Sequence, residues 1–161
     1  MIDWVRLIIS LAIPLLVGGL GGRVTSASLD DWYPTLDKPR WNPPNWVFPV
    51  AWTSLFLAMG VALYRVWGLG LDNSAVVWAL ILFASQLVLN TLWSVCFFGL
   101  RSPALALAEI VFLWLAVVAT TVAMGRLDPV SWWLLAPYVA WVTFAGFLNA
   151  EIVRRNPRPA G

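Results

Sequence analysis

Gln86, Asn90, Trp93 and Phe97 recur at i, i+4, i+7 and i+11, the spacing of one helical face. Two amides and two flat rings on one stripe suit binding: amides donate and accept, and aromatic faces take a flat apolar partner. Trp52, Trp141 and Glu109 stand inside other apolar runs, and Trp141, Ala145 and Leu148 share a second face. Polar and ionisable groups are costly in such runs, so each is a functional candidate. Metal and acid–base chemistry is poorly supplied. The chain has no histidine and one cysteine, Cys96. That removes Ser-His and Cys-His catalysis, most zinc sites and the commonest haem ligand. Cys96 lies in an apolar run, where a thiol reads as packing. No metal site is expected, and no residue is assigned a certain catalytic role.

The elements that must position these residues follow from composition. Of 161 residues, 61% are hydrophobic and 11% charged, against about 25% charged in an ordinary soluble domain. The net charge is +2, and no basic stripe runs along any segment, so nucleic acid is not an expected partner. A spanning helix needs roughly 20 apolar residues. Five stretches meet this, at about 4–22, 46–68, 75–98, 103–124 and 131–153, with a polar tail at 154–161. The expected fold is an all-α membrane protein, one domain over 1–161, in a bundle of five transmembrane helices. The first apolar stretch is too long for an ordinary signal peptide, and Asp3 offsets Arg6 in its charged start. Asp72-Asn73-Ser74 offers caps for the third helix, Pro103 suits the first turn of the fourth, and Asp128-Pro129 closes the fourth loop. Pro14 and Pro137 fall inside spans, where kinks are expected.

Five spans put the termini on opposite sides. One side carries Arg6, Arg65 and Arg126; the other carries Arg23, Lys38, Arg40, Arg101, Arg154, Arg155 and Arg158. The positive-inside rule places the first loop, 23–45, and the C-terminus in the cytoplasm if the membrane is an inner one. The rule does not speak to an outer membrane. By helix direction, Trp46, Trp52, Gln86, Asn90, Trp93, Phe97, Glu109, Trp141 and the run Gly18-Gly19-Leu20-Gly21-Gly22 all fall in the half of the membrane nearest the first loop. Glu109 lies about 9 Å in by helical rise. Trp67, Trp78, Trp132 and Trp133 mark the other end as an aromatic belt. This asymmetry points to an aromatic cavity between the helices, with the first loop as its cover.

Plainer readings stand beside that one. Gln86 and Asn90 also suit hydrogen bonds between helices, and Glu109 a pair with Arg101 or with a loop group near the interface. Gly18 and Gly22 suit close helix packing, and Trp41 and Trp46 suit anchoring at the interface.

The string Trp32-Tyr33-Pro34-Thr35-Leu36-Asp37-Lys38-Pro39-Arg40-Trp41-Asn42-Pro43-Pro44, with Val47-Phe48-Pro49-Val50-Ala51-Trp52-Thr53-Ser54-Leu55, resembles the first loop and second helix of the TspO/MBR family, the tryptophan-rich sensory and translocator proteins. Gln86 to Ser94 with Phe97-Phe98-Gly99 resembles its third helix, and Ala106-Leu107-Ala108-Glu109 its fourth. Pro137-Tyr138-Val139-Ala140-Trp141 through Ala145 to Leu148-Asn149 resembles its fifth.

The resemblance implies a homodimeric five-helix bacterial membrane protein that binds tetrapyrroles, protoporphyrin IX or haem, with no obligatory cofactor. It implies transport, sensing or stress regulation, and in some members binding of sterols or benzodiazepine-type drugs. Pocket positions carry over to Tyr33, Pro43, Trp52, Gln86, Asn90, Trp141 and Ala145. Some members are reported to degrade porphyrin in light, which makes Trp52 and Trp141 candidates for photochemistry and an enzyme the alternative. The animal sterol motif needs a tyrosine near the end of the fifth helix. The matching stretch here, Leu148 to Arg154, has none. Leu29, Tyr33 and Lys38 fit the motif's spacing in the loop, a weak pattern.

For a porphyrin ligand, Lys38 and Arg40 are expected to pair with the propionates, while Trp41, Trp93, Glu109 and Leu148 complete the expected site. Axial ligation of iron would fall to Cys96, Tyr33 or a methionine, so metal-free porphyrin is expected to bind about as well as haem. A third reading makes Glu109 a proton relay in a coupled exporter.

Overall fold

The computed structural model describes residues 2–29 and 31–157. Arg158, which entered the charge reading, lies outside the described residues, as do Asp30 and the rest of the tail. Five long helices run α1 (Trp4–Leu29), α2 (Val47–Trp67), α3 (Ser74–Ser94), α4 (Pro103–Leu127) and α5 (Pro129–Arg155). All five are long and apolar enough to cross a membrane, and no strand occurs among the described residues.

The helix starts follow local chemistry. The Asn73 side chain accepts from Ala75 N at 3.0 Å, and Ser102 Oγ from Leu105 N at 3.4 Å. Asp128 Oδ2 accepts from Ser131 N at 2.9 Å and from Ser131 Oγ at 2.6 Å. These bonds satisfy N–H groups that a helix start leaves open. Pro103 and Pro129 begin α4 and α5, where a missing N–H costs little. Helices α1 and α5 continue through Pro14 and Pro137.

Two helix ends differ from the sequence expectation. Helix α1 runs to Leu29 rather than stopping near 22. Its last turns hold no proline, and its hydroxyls turn back to the backbone. Thr25 Oγ1 donates to Gly21 O at 3.0 Å, and Ser26 Oγ to Arg23 O at 3.0 Å. Ser28 Oγ reaches across to Phe98 O at 2.8 Å. The loop before α2 is correspondingly shorter. Beyond Ser94, α3 widens into a π-helical turn, Val95–Gly99, closed by Leu100 N donating to Val95 O at 2.7 Å. The extra residue in that turn lets the neighbours Phe97 and Phe98 both be buried. Arg101 then takes a left-handed φ of 50°, a conformation costing about 1–2 kcal/mol for a side-chain-bearing residue.

A smaller buried cluster of Tyr33, Cys96, Phe97, Phe98, Ala106, Leu148 and Ile152 lies beneath the first loop, and the larger core cluster reaches through the half away from it. Met59, Ala62, Val66, Val76, Ala79 and Met124 are completely buried there. Helices α1 and α2 cross closely at Gly60, where a Cβ would sit 2.8 Å from Leu11 Cα and 2.9 Å from Ser10 O. Gly18 faces the Phe56 ring, which an added Cβ would strike, whereas Gly22 has no such neighbour within 4 Å. Close packing thus holds for Gly18 and not for Gly22.

Candidate functional site

Toward the first loop the helices separate around a cavity of about 490 Å³. Its walls come from α1, α2, α3, the π-helical turn and α5, with Tyr33 and Asn45 from the loop; α4 contributes nothing to them. Helix α1 supplies a thin wall of Gly18, Gly19, Gly21 and Gly22, and the facing walls are aromatic. Trp52 stacks on Phe56 at 5.5 Å between ring centroids and meets Trp141 edge to face at 6.3 Å. Trp141 leans on Phe144 at 5.6 Å and Phe48 at 6.2 Å. Trp93 stacks on Phe97 at 5.3 Å. Aromatic pairs in such offset and edge-on arrangements prefer these separations.

Polar groups are few and mostly satisfied. Asn90 Nδ2 donates to Tyr138 Oη at 3.1 Å, and Tyr138 donates on to Gln86 Oε1 at 2.9 Å. The interhelical role foreseen for Gln86 and Asn90 is therefore real, and Asn90 combines it with a place in the wall. Trp93 Nε1 donates to Asn149 Oδ1 at 3.3 Å, and Asn149 Nδ2 to Pro103 O at 2.8 Å. The Trp141 indole N–H is buried without a hydrogen-bond partner among the described residues.

The cover is tied at three places. Tyr33 donates its phenol to Asn42 Oδ1 at 2.8 Å, and burial pushes that phenol up to about 12. Asp37 N donates to Asn156 Oδ1 at 3.0 Å, while Asn156 Nδ2 donates to Asp37 O at 2.9 Å. Arg101 Nη2 meets Asp31 Oδ2 at 2.6 Å, a hydrogen bond that holds the Asp31 carboxyl below its ordinary value. The loop and the end of α5 are thus on one side, as the count of spans requires.

Tyr33, Trp52, Asn90, Trp93, Trp141, Ala145 and Leu148 meet in the cavity wall. The other foreseen residues stand elsewhere. Trp41 is half exposed, its ring edge on Phe144 at 5.7 Å. Pro43 lies in the cover and accepts from Asn42 Nδ2 at 3.0 Å. Gln86 is buried one step behind Asn90. Lys38 Nζ donates to Tyr33 O at 2.7 Å and Leu36 O at 3.1 Å and lies over the Tyr33 ring. Burial lowers its pKa from the ordinary value. Arg40 is exposed. Glu109 is buried on α4 behind the wall, and neither carboxyl oxygen has a partner among the described residues. Its expected pairing with Arg101 does not occur, because Arg101 reaches Asp31 across the shortened loop.

Sequence reading missed Phe48, Phe56, Phe98, Phe144 and Asn149 as wall residues. Asn149 carried a signal, being an amide inside an apolar span. Phe98 carried none, since ordinary helical spacing turns it away from Phe97's face.

Fold and site together define an integral membrane bundle with a covered aromatic cavity in one half of the bilayer. The sequence model of the TspO/MBR family matches residues 10–155, and the chain belongs to that family. It is 46% identical over 143 residues to the tryptophan-rich protein TspO of Chlorobaculum tepidum, covering 89% of this chain and 90% of that one. It is 46% identical over 126 residues to the protein CrtK of Rhodobacter capsulatus, covering 78% and 79%. To the translocator protein of Bos taurus it is 37% identical over 154 residues, covering 95% and 91%.

Proposed function

We propose that the cavity holds a flat tetrapyrrole, protoporphyrin IX or haem, for transport or sensing. The observation that carries this is a single space of about 490 Å³ walled by Trp52, Trp93, Trp141 and five phenylalanines. Its size is within the roughly 300–1,000 Å³ of small-molecule sites, and its walls suit a π-electron disc. Tyr33, Trp52, Asn90, Trp93, Trp141, Ala145 and Leu148 make the contacts. Trp41 and Pro43 act from the cover, and Gln86 acts through Tyr138 on Asn90. Arg40 is the cation free to meet a propionate; Lys38 would first have to leave two carbonyls. Glu109 stands behind the wall and has no contact role in this reading.

The wall contains no histidine, cysteine or methionine, and the Tyr33 phenol is engaged with Asn42. Metal-free porphyrin therefore binds within tenfold of haem. Titration of the purified protein in detergent, followed by tryptophan quenching, tests both statements. Absence of saturable quenching ends the binding reading, and a haem preference beyond tenfold ends the argument against ligation. Bile pigments, sterols and benzodiazepine-type drugs belong in the same scan. The missing tyrosine near the end of α5 predicts weak sterol binding.

The 6.3 Å approach of Trp52 and Trp141 favours a second reading, light-dependent breakdown of bound porphyrin. The pigment would be the photosensitiser and the indoles the oxidisable partners. Trp52→Phe and Trp141→Phe variants that lose the Soret band under light as fast as wild type would end a direct tryptophan role. The functional form we propose is a homodimer in a bacterial membrane, inner or outer, with the first loop and C-terminus in the cytoplasm if that membrane is the inner one.

A further inference from the structure

A second cleft lies at the opposite end of the bundle, between the start of α1 and the end of α2, with a cavity volume of about 250 Å³. Its centre is Arg6. The guanidinium lies over the Tyr64 ring at 4.8 Å. Gly68 gives it room, since a Cβ there would be 3.2 Å from both its Cζ and Nη2 and would push the guanidinium aside by a few tenths of an ångström. Arg6 Nε is buried without a hydrogen-bond partner among the described residues. The nearby acids are committed elsewhere. Asp3 Oδ1 accepts from Arg6's own backbone N–H at 3.0 Å. Asp128 takes Nε and Nη2 of Arg65 at 2.8 and 2.7 Å, which leaves Arg65 Nη1 unused. The cleft therefore holds two guanidinium groups against one carboxylate of its own, and one fork is fixed in place but unpaired.

A planar fork held over an aromatic face suits a phosphate oxygen pair. The level in the membrane fits as well. Trp4, Trp132 and Trp133 are exposed at this end of the helices, where an aromatic belt marks the headgroup region. We propose that this cleft binds a phosphate group, the anion shared by phospholipid headgroups and free phosphate, with Arg6 as the main contact and Arg65 Nη1 as the second.

The test uses delipidated full-length protein and native mass spectrometry, with phosphatidylglycerol titrated in the absence and presence of millimolar inorganic phosphate. Wild type is expected to retain the lipid at least fivefold more tightly than Arg6→Gln, with Arg6→Lys between them. Gly68→Ala keeps the charge but displaces the fork, and is expected to weaken retention in the same direction. Arg23→Gln, at the far end of the bundle, serves as control and keeps wild-type retention. Helical circular dichroism identifies any variant that fails to fold, and Gly68→Ala and Arg6→Lys then carry the comparison. Retention unchanged by inorganic phosphate assigns the site to the headgroup. Displacement by inorganic phosphate in wild type assigns it to free phosphate. Equal lipid retention by wild type, Arg6→Gln and Gly68→Ala overturns the proposal.

Discussion

The two halves of the bundle use the same helices in opposite ways. Away from the first loop, small and flexible residues such as Ala62, Ala79, Met59 and Met124 are fully buried, and α1 and α2 approach backbone to backbone at Gly60. Toward the loop, the same helices stand apart around rings and amides. The packed half gains dispersion and excludes lipid. The open half keeps only a smaller buried cluster, which takes in Tyr33 of the cover, and polar ties to α5 and to the Arg101 turn add to its hold on the cover. Stability and ligand space are thus allotted to different ends of each helix.

The sharpest way to break this division is at Gly60. A Cβ there meets the Leu11 backbone, which cannot move without shifting α1. Gly60→Leu is expected to destabilise the protein by about 3 kcal/mol, read as a large fall in the thermal midpoint in detergent. Gly22→Ala is the counterpart in the open half. No atom lies within 4 Å of its Cβ position, so the midpoint is expected to hold, or to rise with the roughly 1 kcal/mol helix preference of alanine over glycine. If the two substitutions are equally damaging, the halves do not differ as argued.

The same contrast explains what the sequence disclosed. Five apolar runs, their proline and cap boundaries, and the gathering of marked residues in one half were all legible, because helix direction and a rise of about 1.5 Å per residue fix depth. Seven of the foreseen contact residues do meet in one wall. What was hidden depends on lateral position and local irregularity. Glu109 had the right depth but lies on α4, which packs against α3 and α5 outside the cavity ring. Phe98 enters through a π-helical turn that periodicity does not announce. Helix α1 outran its glycines because its hydroxyls found carbonyl partners, and that extension carried Asp31 to Arg101. Gly60, where α1 and α2 approach backbone to backbone, looked like any other residue in an apolar run.

A smaller effect is expected at the latch between cover and α5. Asn156 both gives and receives a hydrogen bond with the Asp37 backbone, and Arg155 approaches Asp37 at 3.7 Å. Asn156→Ala removes these two hydrogen bonds, each contributing about 1 kcal/mol, and a third within α5, from Asn156 Nδ2 to Ile152 O. Because the first two bonds hold the cover and not the packed half, the thermal midpoint should scarcely move. Porphyrin release, followed by recovery of tryptophan fluorescence, should quicken severalfold. A variant that loses stability without faster release would make the latch part of the core and not of the cover.

The smallest effect is set by Tyr33. Its phenol donates to Asn42, and burial pushes it up to about 12, against about 10 for a free tyrosine. The folded cover thus keeps the proton more tightly than the unfolded chain does. Linkage gives the sign: the stabilisation is fully present below about pH 10 and is lost as pH rises through about 12. At neutral pH, Tyr33→Phe should cost only the one hydrogen bond, about 0.5–1.5 kcal/mol, seen as a few-fold weaker porphyrin binding. Between about pH 10 and 12, wild type should show an additional loss of cover stability, coincident with phenolate absorbance, that Tyr33→Phe lacks. The packed half has no part in this transition, so helical circular dichroism should stay flat while ligand retention falls. A concerted loss of helix and ligand in that range would show that the two halves melt as one.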